Sequence, residues 1–284
     1  MFKENLPLYL IDPIIQQALA EDLPSGDLSL AALPDPGALA SVELLAKAEG
    51  RLCGLSIFAR VFQLLDANCQ FNFKKMDGDP VSPGDKIAFL TGRLDALLCG
   101  ERTALNFLQR LSGIAGYTAC FIEAMGSTKT RLVDTRKTTP GLRLLEKYAV
   151  RTGGAQNHRF NLSTGVMLKD NHIAAAGSLT AAVTRARKTV PFVHRIEVEV
   201  ETMEMVKEAV QAGADIIMLD NMSPSEIRAA INYIDGRALV ELSGNITLEN
   251  IAAYAQIGAD FISSGAITYG APLLDLSMKN MKLH

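Results

Sequence analysis

Charged and hydroxyl side chains recur at the ends of six short apolar segments in the second half of the chain. Arg136 and Lys137 follow the first segment, Lys169 follows the second, and later segments end beside Asp220 and Ser243. Cations bind carboxylates and phosphates, carboxylates bind metal ions, and Ser-Gly turns offer backbone N–H groups to phosphate. The pattern predicts a pocket for a phosphorylated sugar, a divalent metal and a small dicarboxylate.

Two further features belong to this chemistry. Glu197 and Glu199 are two residues apart, so they share one face of a strand. Residues 147–159 crowd lysine, arginine and histidine around a Gly-Gly pair. Such charges repel one another unless an anion neutralises them, which favours an anion-binding loop over a solvated surface.

The six segments have the spacing of strands that alternate with helices. They are residues 131–134, 166–168, 196–200, 215–219, 238–242 and 261–263. The last four lie about 20 residues apart, the length of one strand, one helix and two short loops. Repeated βα units predict parallel strands with helices outside and favour an α/β fold with an incomplete parallel βα-barrel of the TIM type. A doubly wound open sheet is the alternative.

Helix signals lie between these segments. Ser223, Pro224 and Glu226 form a capping box, which predicts a helix that runs to about Asp235. Further helices are predicted over residues 202–211 and 247–257, each followed by glycine.

The first hundred residues lack this regular alternation of strands and helices. A strand is predicted at residues 42–47, an amphipathic helix at 54–67 and a long apolar helix at 104–124. We therefore predict an N-terminal α+β domain at residues 1–112, joined by the C-terminal tail 272–284, and a barrel at residues 113–271.

Composition excludes several classes of protein. The 284 residues carry a net charge of −3, which argues against a general nucleic-acid binder. The longest uncharged stretches, 171–184 and 261–274, are too short and too polar to cross a membrane. Residues 1–24 lack the pattern of a signal peptide. The four cysteines form no metal or disulfide motif, so we expect reduced, mostly buried thiols in a cytoplasmic protein: Cys53, Cys69, Cys99 and Cys120.

Seven short motifs together resemble those of the quinolinate phosphoribosyltransferase family in their order and spacing. They are residues 101–106 (ERTALN), 134–141 (DTRKTTPG), 147–151 (KYAVR), 157–159 (NHR), 169–172 (KDNH), 197–200 (EVEV) and 219–222 (LDNM). The resemblance implies an N-terminal sandwich domain, an incomplete α/β-barrel and a homodimer, and it leaves open a higher assembly of dimers. It implies that quinolinate and phosphoribosyl pyrophosphate give nicotinate mononucleotide, CO₂ and pyrophosphate, with Mg²⁺, in de novo NAD synthesis.

The resemblance also implies roles for individual residues. The group expected to bind quinolinate is Arg136, Lys137, His158, Arg159 and Lys169. The residues expected on the ribose and metal side, directly or through substrate or water, are Glu199 and Asp220; with Lys169 they form the expected catalytic set. The expected cradle of the 5′-phosphate is Ser243, Gly244, Ser264 and Gly265. Arg102 is expected to reach into the partner subunit's site.

The chain departs from the family pattern on the phosphate side. Asn245 stands where the family usually has glycine, and residues 268–270 read TYG in place of Thr-His-Ser. Three alternatives stay open. They are the molybdenum-operon paralogue of the family, a phosphoribosyltransferase acting on nicotinate, and a non-catalytic anion-binding protein on the same fold.

Overall fold

The structure, a computed structural model, describes residues 6–284. Residues 1–5, which belong to the predicted N-terminal domain and to the segment compared with signal peptides, lie outside the described residues. The chain forms two compact units. The first comprises the described residues up to Tyr117 with Pro140–Gly153 and Ala271–His284, and the second comprises Thr118–Thr139 and Gly154–Gly270.

The first unit combines antiparallel strands with helices. Its strands are β1 (Leu39–Ala46), β2 (Gly50–Arg51), β3 (Gln70–Phe73), β4 (Pro80–Val81), β5 (Lys86–Arg93) and β12 (Leu276–Leu283). Its helices are α1 (Leu8–Asp22), α2 (Leu55–Leu65), α3 (Leu94–Met125, whose last turns belong to the second unit) and α4 (Arg143–Thr152). Four strands form one sheet in the order β12-β1-β5-β3, and β2 pairs with β4. The amphipathic helix α2 buries Ile57, Phe58 and Phe62 in the core of this unit.

The units differ from the predicted domains mainly in one segment, although residues 113–117 and Ala271 also fall in the first unit. Pro140–Gly153 belongs to the first unit rather than to the barrel. Two long-range contacts explain the difference: the buried carboxylate of Glu146 accepts hydrogen bonds from Arg110 at 3.1 and 3.0 Å, and Tyr148 donates one to Asp77 at 2.7 Å. The predicted boundary at residue 112 falls inside α3.

The second unit is a parallel sheet with intervening helices. Its strands are β6 (Arg131–Val133), β7 (Val166–Leu168), β8 (Ile196–Val200), β9 (Ile216–Asp220), β10 (Leu239–Ser243) and β11 (Phe261–Ser263). Its helices are α5 (Asp170–Ala176), α6 (Leu179–Thr189), α7 (Met203–Gln211), α8 (Pro224–Ile234), α9 (Ile251–Ala255) and α10 (Ala266–Tyr269). The strand order β6-β11-β10-β9-β8-β7 is that of a barrel opened between β6 and β7, without the reversal of a doubly wound sheet. The predicted incomplete barrel is confirmed.

The local signals for helices were accurate where capping was strong. Ser223 and Glu226 form the predicted capping box at the start of α8, and Thr202 caps α7. The predicted helix at 247–257 is wrong at both ends, because α9 spans only Ile251–Ala255. The Asn250 side chain accepts the Thr247 N–H at 2.9 Å and so favours a turn before the helix.

The cysteine prediction holds in part. All four cysteines are free thiols; Cys53 and Cys69 are buried, Cys99 is half-buried and Cys120 is exposed. Burial raises the pKa of Cys69 to about 11. Within residues 6–284, no helix has the length and apolar character needed to span a membrane.

Gly113 and Gly116 lie one turn apart on α3 and differ in the space around them. A Cβ at Gly113 would lie 1.9 Å from the carbonyl oxygen of Pro272, whereas one at Gly116 would meet nothing nearer than 3.6 Å. Gly113→Ala should destabilise the protein by about 1–3 kcal/mol through overpacking. Gly116→Ala, the matched control, should be neutral or stabilising by up to about 1 kcal/mol. Urea unfolding followed by circular dichroism measures both; equal midpoints would contradict the close approach of Pro272 to α3.

Candidate active site

A cavity of about 350 Å³, the strand-end cavity, opens at the carboxyl ends of the parallel strands of the second unit. Its lining residues are Thr135, Arg136, Lys137, His158, Arg159, Met167, Lys169, Glu199, Met218, Asp220, Glu241, Ser243 and Ser263. Side chains at successive strand ends converge here because parallel strands finish at the same edge of the sheet. The residues predicted to bind quinolinate and the two predicted carboxylates, Glu199 and Asp220, therefore all line this one cavity.

Four carboxylates in or beneath the cavity lie at two depths. Glu199 on β8 and Asp220 on β9 are half-buried near the strand ends. Glu197 and Glu241 lie two residues earlier than Glu199 and Ser243 on their strands, and each is only 3% exposed. Alternation along a strand puts residues i and i+2 on the same face, so the deep pair forms a floor beneath the outer carboxylates.

A buried aspartate holds the segment that carries two of the cations. Asp134, directly after β6, accepts the backbone N–H of His158 at 2.8 Å and the side-chain amide of Asn157 at 2.7 Å. Arg159 then donates to the carbonyl of Gly165 at 3.1 Å. Burial, and then the nearby charge of Arg136, lower the pKa of Arg159, which shows how closely the cations are packed.

The imidazole of His158 lies between the two deep carboxylates. Its Nε2 is 3.1 Å from Glu197 Oε2 and 3.2 Å from Glu241 Oε2. Burial by itself lowers the pKa of an imidazole, but the hydrogen bonds and charges of Glu197 and Glu241 outweigh burial and raise the pKa of His158 to about 10. Burial raises the pKa of Glu197 as well.

One hydrogen bond disfavours protonation of His158 at Nδ1, the second nitrogen of the imidazole. The Arg159 backbone N–H points at Nδ1 of His158 at 2.7 Å. A neutral hydrogen bond is worth about 1 kcal/mol, whereas breaking a buried ion pair costs about 3–5 kcal/mol. The charged ring therefore prevails at neutral pH and weakens the Arg159 contact.

His158, Glu197 and Glu241 also have the spacing of metal ligands, with their ligand atoms all within 4.8 Å of one another. Nε2, however, carries a proton both in the charged ring and in the neutral ring whose Nδ1 faces the Arg159 N–H. A metal ion would have to displace this proton, because an imidazole nitrogen ligates a metal only when it is unprotonated. In this structure the three residues form a buried ion-pair cluster.

The two outer carboxylates are each held by one neighbour. Lys169 Nζ donates to Glu199 Oε2, and the Asn221 amide donates to Asp220 Oδ2 at 2.8 Å. Asn245 in turn donates to Asn221 Oδ1 at 3.1 Å. The Lys169 N–H donates to His172 Nδ1 at 3.1 Å, which explains how the KDNH motif fixes the residue that carries the ammonium group.

The predicted phosphate residues are only partly in the cavity. Ser243 lines it, but the buried hydroxyl of Ser264 donates to the Ile246 carbonyl at 2.8 Å, and Ser263 lines the cavity instead. Gly244 and Gly265 are turn residues; a Cβ at Gly244 would lie 2.3 Å from Asn221 Oδ1.

Arg102 is exposed on α3 in the first unit and lines a different cavity, of about 270 Å³.

Glu241 was not predicted as a site residue. Its signal in the sequence is one acidic residue inside the apolar run 238–242.

Together, the barrel and its cavity define an α/β-barrel enzyme for a small polyanionic substrate. The cavity has cationic and anionic side chains at the same edge of the sheet. This arrangement suits a reaction in which anions are bound and positive charge develops nearby.

Comparison with known proteins gives the family. The models described as "Quinolinate phosphoribosyl transferase, N-terminal domain" and "C-terminal domain" match residues 27–112 and 114–279. The probable nicotinate-nucleotide pyrophosphorylase [carboxylating] of Synechocystis is 46% identical over 276 residues, which are 96% of this chain and 93% of the relative. The human nicotinate-nucleotide pyrophosphorylase [carboxylating] is 39% identical over 96% of this chain and 93% of its own.

Solved structures agree. NadC from Streptococcus pyogenes is 48% identical, with a TM-score of 0.96 over 99% of this chain and 100% of that one. The chain belongs to the quinolinate phosphoribosyltransferase family and is an enzyme of the pentosyltransferase class.

The raised pKa of His158 makes one contribution to stability depend on pH. An unfolded imidazole titrates near ~6.5, so the contribution is fully present below that pH and is lost as the pH rises through about 10. In ¹⁵N-histidine-labelled protein, we expect the ring of His158, assigned by its loss in His158→Asn, to stay protonated above about pH 8. Titration of this ring near its unfolded value would contradict the ion-pair cluster.

Proposed function

We propose that this enzyme transfers the phosphoribosyl group of phosphoribosyl pyrophosphate to quinolinate and forms nicotinate mononucleotide, CO₂ and pyrophosphate in de novo NAD synthesis. The observation that carries the proposal is the strand-end cavity, in which a group of cations faces carboxylates at the ends of neighbouring strands. Family membership supports the same reaction. Four free thiols are compatible with the cytoplasm as its compartment.

The cations account for binding of quinolinate. Quinolinate is a dianion, and guanidinium and ammonium groups match its two carboxylates. Arg136, Arg159 and Lys169 surround this part of the cavity. The cation nearest the 2-carboxylate holds it in place until CO₂ leaves, and Lys169 is our candidate for that cation.

The outer carboxylates account for the transfer step. As pyrophosphate leaves, positive charge develops on the anomeric carbon, and the quinolinate nitrogen then attacks it. Glu199 and Asp220 stabilise this charge electrostatically. The reaction requires no side-chain nucleophile, so catalysis consists of positioning and electrostatics.

The same carboxylates fit Mg²⁺. Each uses one oxygen in the contact with Lys169 or Asn221 and offers its other oxygen. One or two carboxylates together with substrate phosphates are a common environment for this ion. When bound, Mg²⁺ neutralises charge on the pyrophosphate group.

Release of pyrophosphate with quinolinate, compared with nicotinate, tests the reaction. Nicotinate lacks the second carboxylate, so some cations of the cavity would stay unpaired. We expect release with quinolinate and little with nicotinate. The reverse preference favours the nicotinate alternative, and release with neither acid favours a non-catalytic anion-binding protein or a different substrate.

Arg159→Ala should weaken quinolinate binding far more than binding of phosphoribosyl pyrophosphate. Removing one partner of a buried charge contact costs about 2–5 kcal/mol, so we expect the Kd of quinolinate to rise about 30-fold or more. Calorimetry with each ligand measures the two changes in Kd. Arg187→Ala, which removes a surface arginine paired with Asp215 in the same unit, should leave both affinities unchanged; equal losses for both ligands in Arg159→Ala would refute the assignment.

Glu199→Gln and Asp220→Asn should each lower kcat more than they raise the KM for quinolinate. The charge matters most when the cationic centre develops, so its loss appears in the transition state. Steady-state kinetics test this, with Glu208→Gln, a half-buried carboxylate that does not line the strand-end cavity, as control. A change in KM alone would show that the two carboxylates only bind substrate.

We also propose that the enzyme is a homodimer in which Arg102 acts in the partner subunit's site. Arg102 lies on α3 in the first unit, apart from the lining residues of the strand-end cavity. Two-fold dimers are the commonest soluble assembly, and they place the same arginine at two equivalent sites.

Mixing two inactive variants tests this arrangement. Arg102→Ala and Lys169→Ala should each be inactive alone. In a mixed dimer one site receives both defects and the other neither, so activity should return to about half of wild type per heterodimer. Heterodimers that form and stay inactive would show that Arg102 does not act across the dimer.

A further inference from the structure

Glu197 and Glu241 are buried glutamates at the base of the strand-end cavity, which Glu241 lines. They lie on β8 and β10, on either side of β9, and both contact the same nitrogen of His158. Oε1 of Glu241 is buried and has no hydrogen-bond partner among the described residues, while Oε2 pairs with His158. A buried carboxylate with one unpaired oxygen depends strongly on its single ion pair.

The contacts of His158 suggest what this pair achieves. Nε2 faces the two carboxylates, while Nδ1 lies beside the backbone N–H of Arg159, a contact that the charged ring weakens. Both ring nitrogens are thus directed at the protein. At the other side, the His158 backbone N–H is bound to Asp134, next to β6. Because Arg159 is the next residue in the chain, the ion pairs of the His158 ring attach the segment that carries Arg159 to strands β8 and β10.

We propose that Glu197 and Glu241 are positioning residues for the transfer reaction: they clamp the His158 ring and thereby hold Arg159 where a ligand carboxylate binds. This inference rests on the proposed function. Both carboxylates contact the His158 ring, and in this proposal their effect on ligand binding passes through that ring.

A double-mutant cycle separates action through His158 from direct contact with the ligand. We expect Glu241→Gln, which keeps the shape and removes the charge, to raise the Kd of quinolinate about 10-fold, and that of phosphoribosyl pyrophosphate less than about 3-fold. In a His158→Asn background the same substitution should change the quinolinate Kd less than about 3-fold, because coupled residues are not additive. An undiminished effect in that background, or no effect in the wild-type background, would overturn the proposal.

Glu43→Gln is the matched control. Glu43 is a buried glutamate in the first unit that pairs with Lys86 and Asn280. Its loss should lower the melting temperature without moving either Kd. A similar loss of quinolinate affinity in Glu43→Gln would show that general destabilisation, not the clamp, explains the result.

A spectroscopic measurement keeps the clamp testable independently of turnover. A ring N–H held by buried carboxylates exchanges slowly with water and gives a separate ¹H–¹⁵N signal. We expect this signal for His158 in wild type and its weakening in Glu241→Gln, with Glu197→Gln as the second variant if Glu241→Gln does not fold. Absence of the signal in wild type overturns the clamp. If the signal behaves as expected but wild type does not bind quinolinate, the clamp stands and the proposed function fails.

Discussion

The ion pairs between His158 and the deep carboxylates Glu197 and Glu241 are the interaction on which the cavity depends. Arginines and lysines gathered at one strand edge repel one another before any substrate arrives. Carboxylates placed beneath them offset this repulsion, and the low exposure of the two glutamates strengthens the effect because buried charges are screened less. The buried glutamates neutralise part of the positive charge of these cations, and a bound dianionic substrate would neutralise the rest.

The parallel sheet is what allows both layers to exist. Residues two apart on a strand face the same side, so one strand supplies a deep group and an outer group in fixed register. Strand β8 does so with Glu197 and Glu199, and β10 with Glu241 and Ser243. The deep group can thus balance charge beneath the cavity while the outer group lines it.

The sequence predicted what local patterns determine. The six strands, the capping box at Ser223 and the polar strand ends follow from periodicity and spacing, and they locate the cavity. Glu241 could not be assigned from such patterns, because its partner His158 is far away in sequence and only the folded second unit brings them together. The placement of α4 in the first unit depends in the same way on the long-range pair of Arg110 and Glu146. Local sequence patterns therefore predict individual helices and strands, whereas contacts between residues distant in sequence determine which of these elements pack together.

Asn245 shows how a departure from the family pattern is accommodated. Its φ is 48°, and that of Asn221 is 53°, in the left-handed region that asparagine tolerates better than most residues. The turn that usually carries glycine can therefore keep its shape with asparagine. The side chain that glycine lacks donates to Asn221, which in turn donates to Asp220. Asparagine at this position is thus compatible with the left-handed backbone of the turn, and it links the end of β10 to Asp220 at the end of β9 through Asn221.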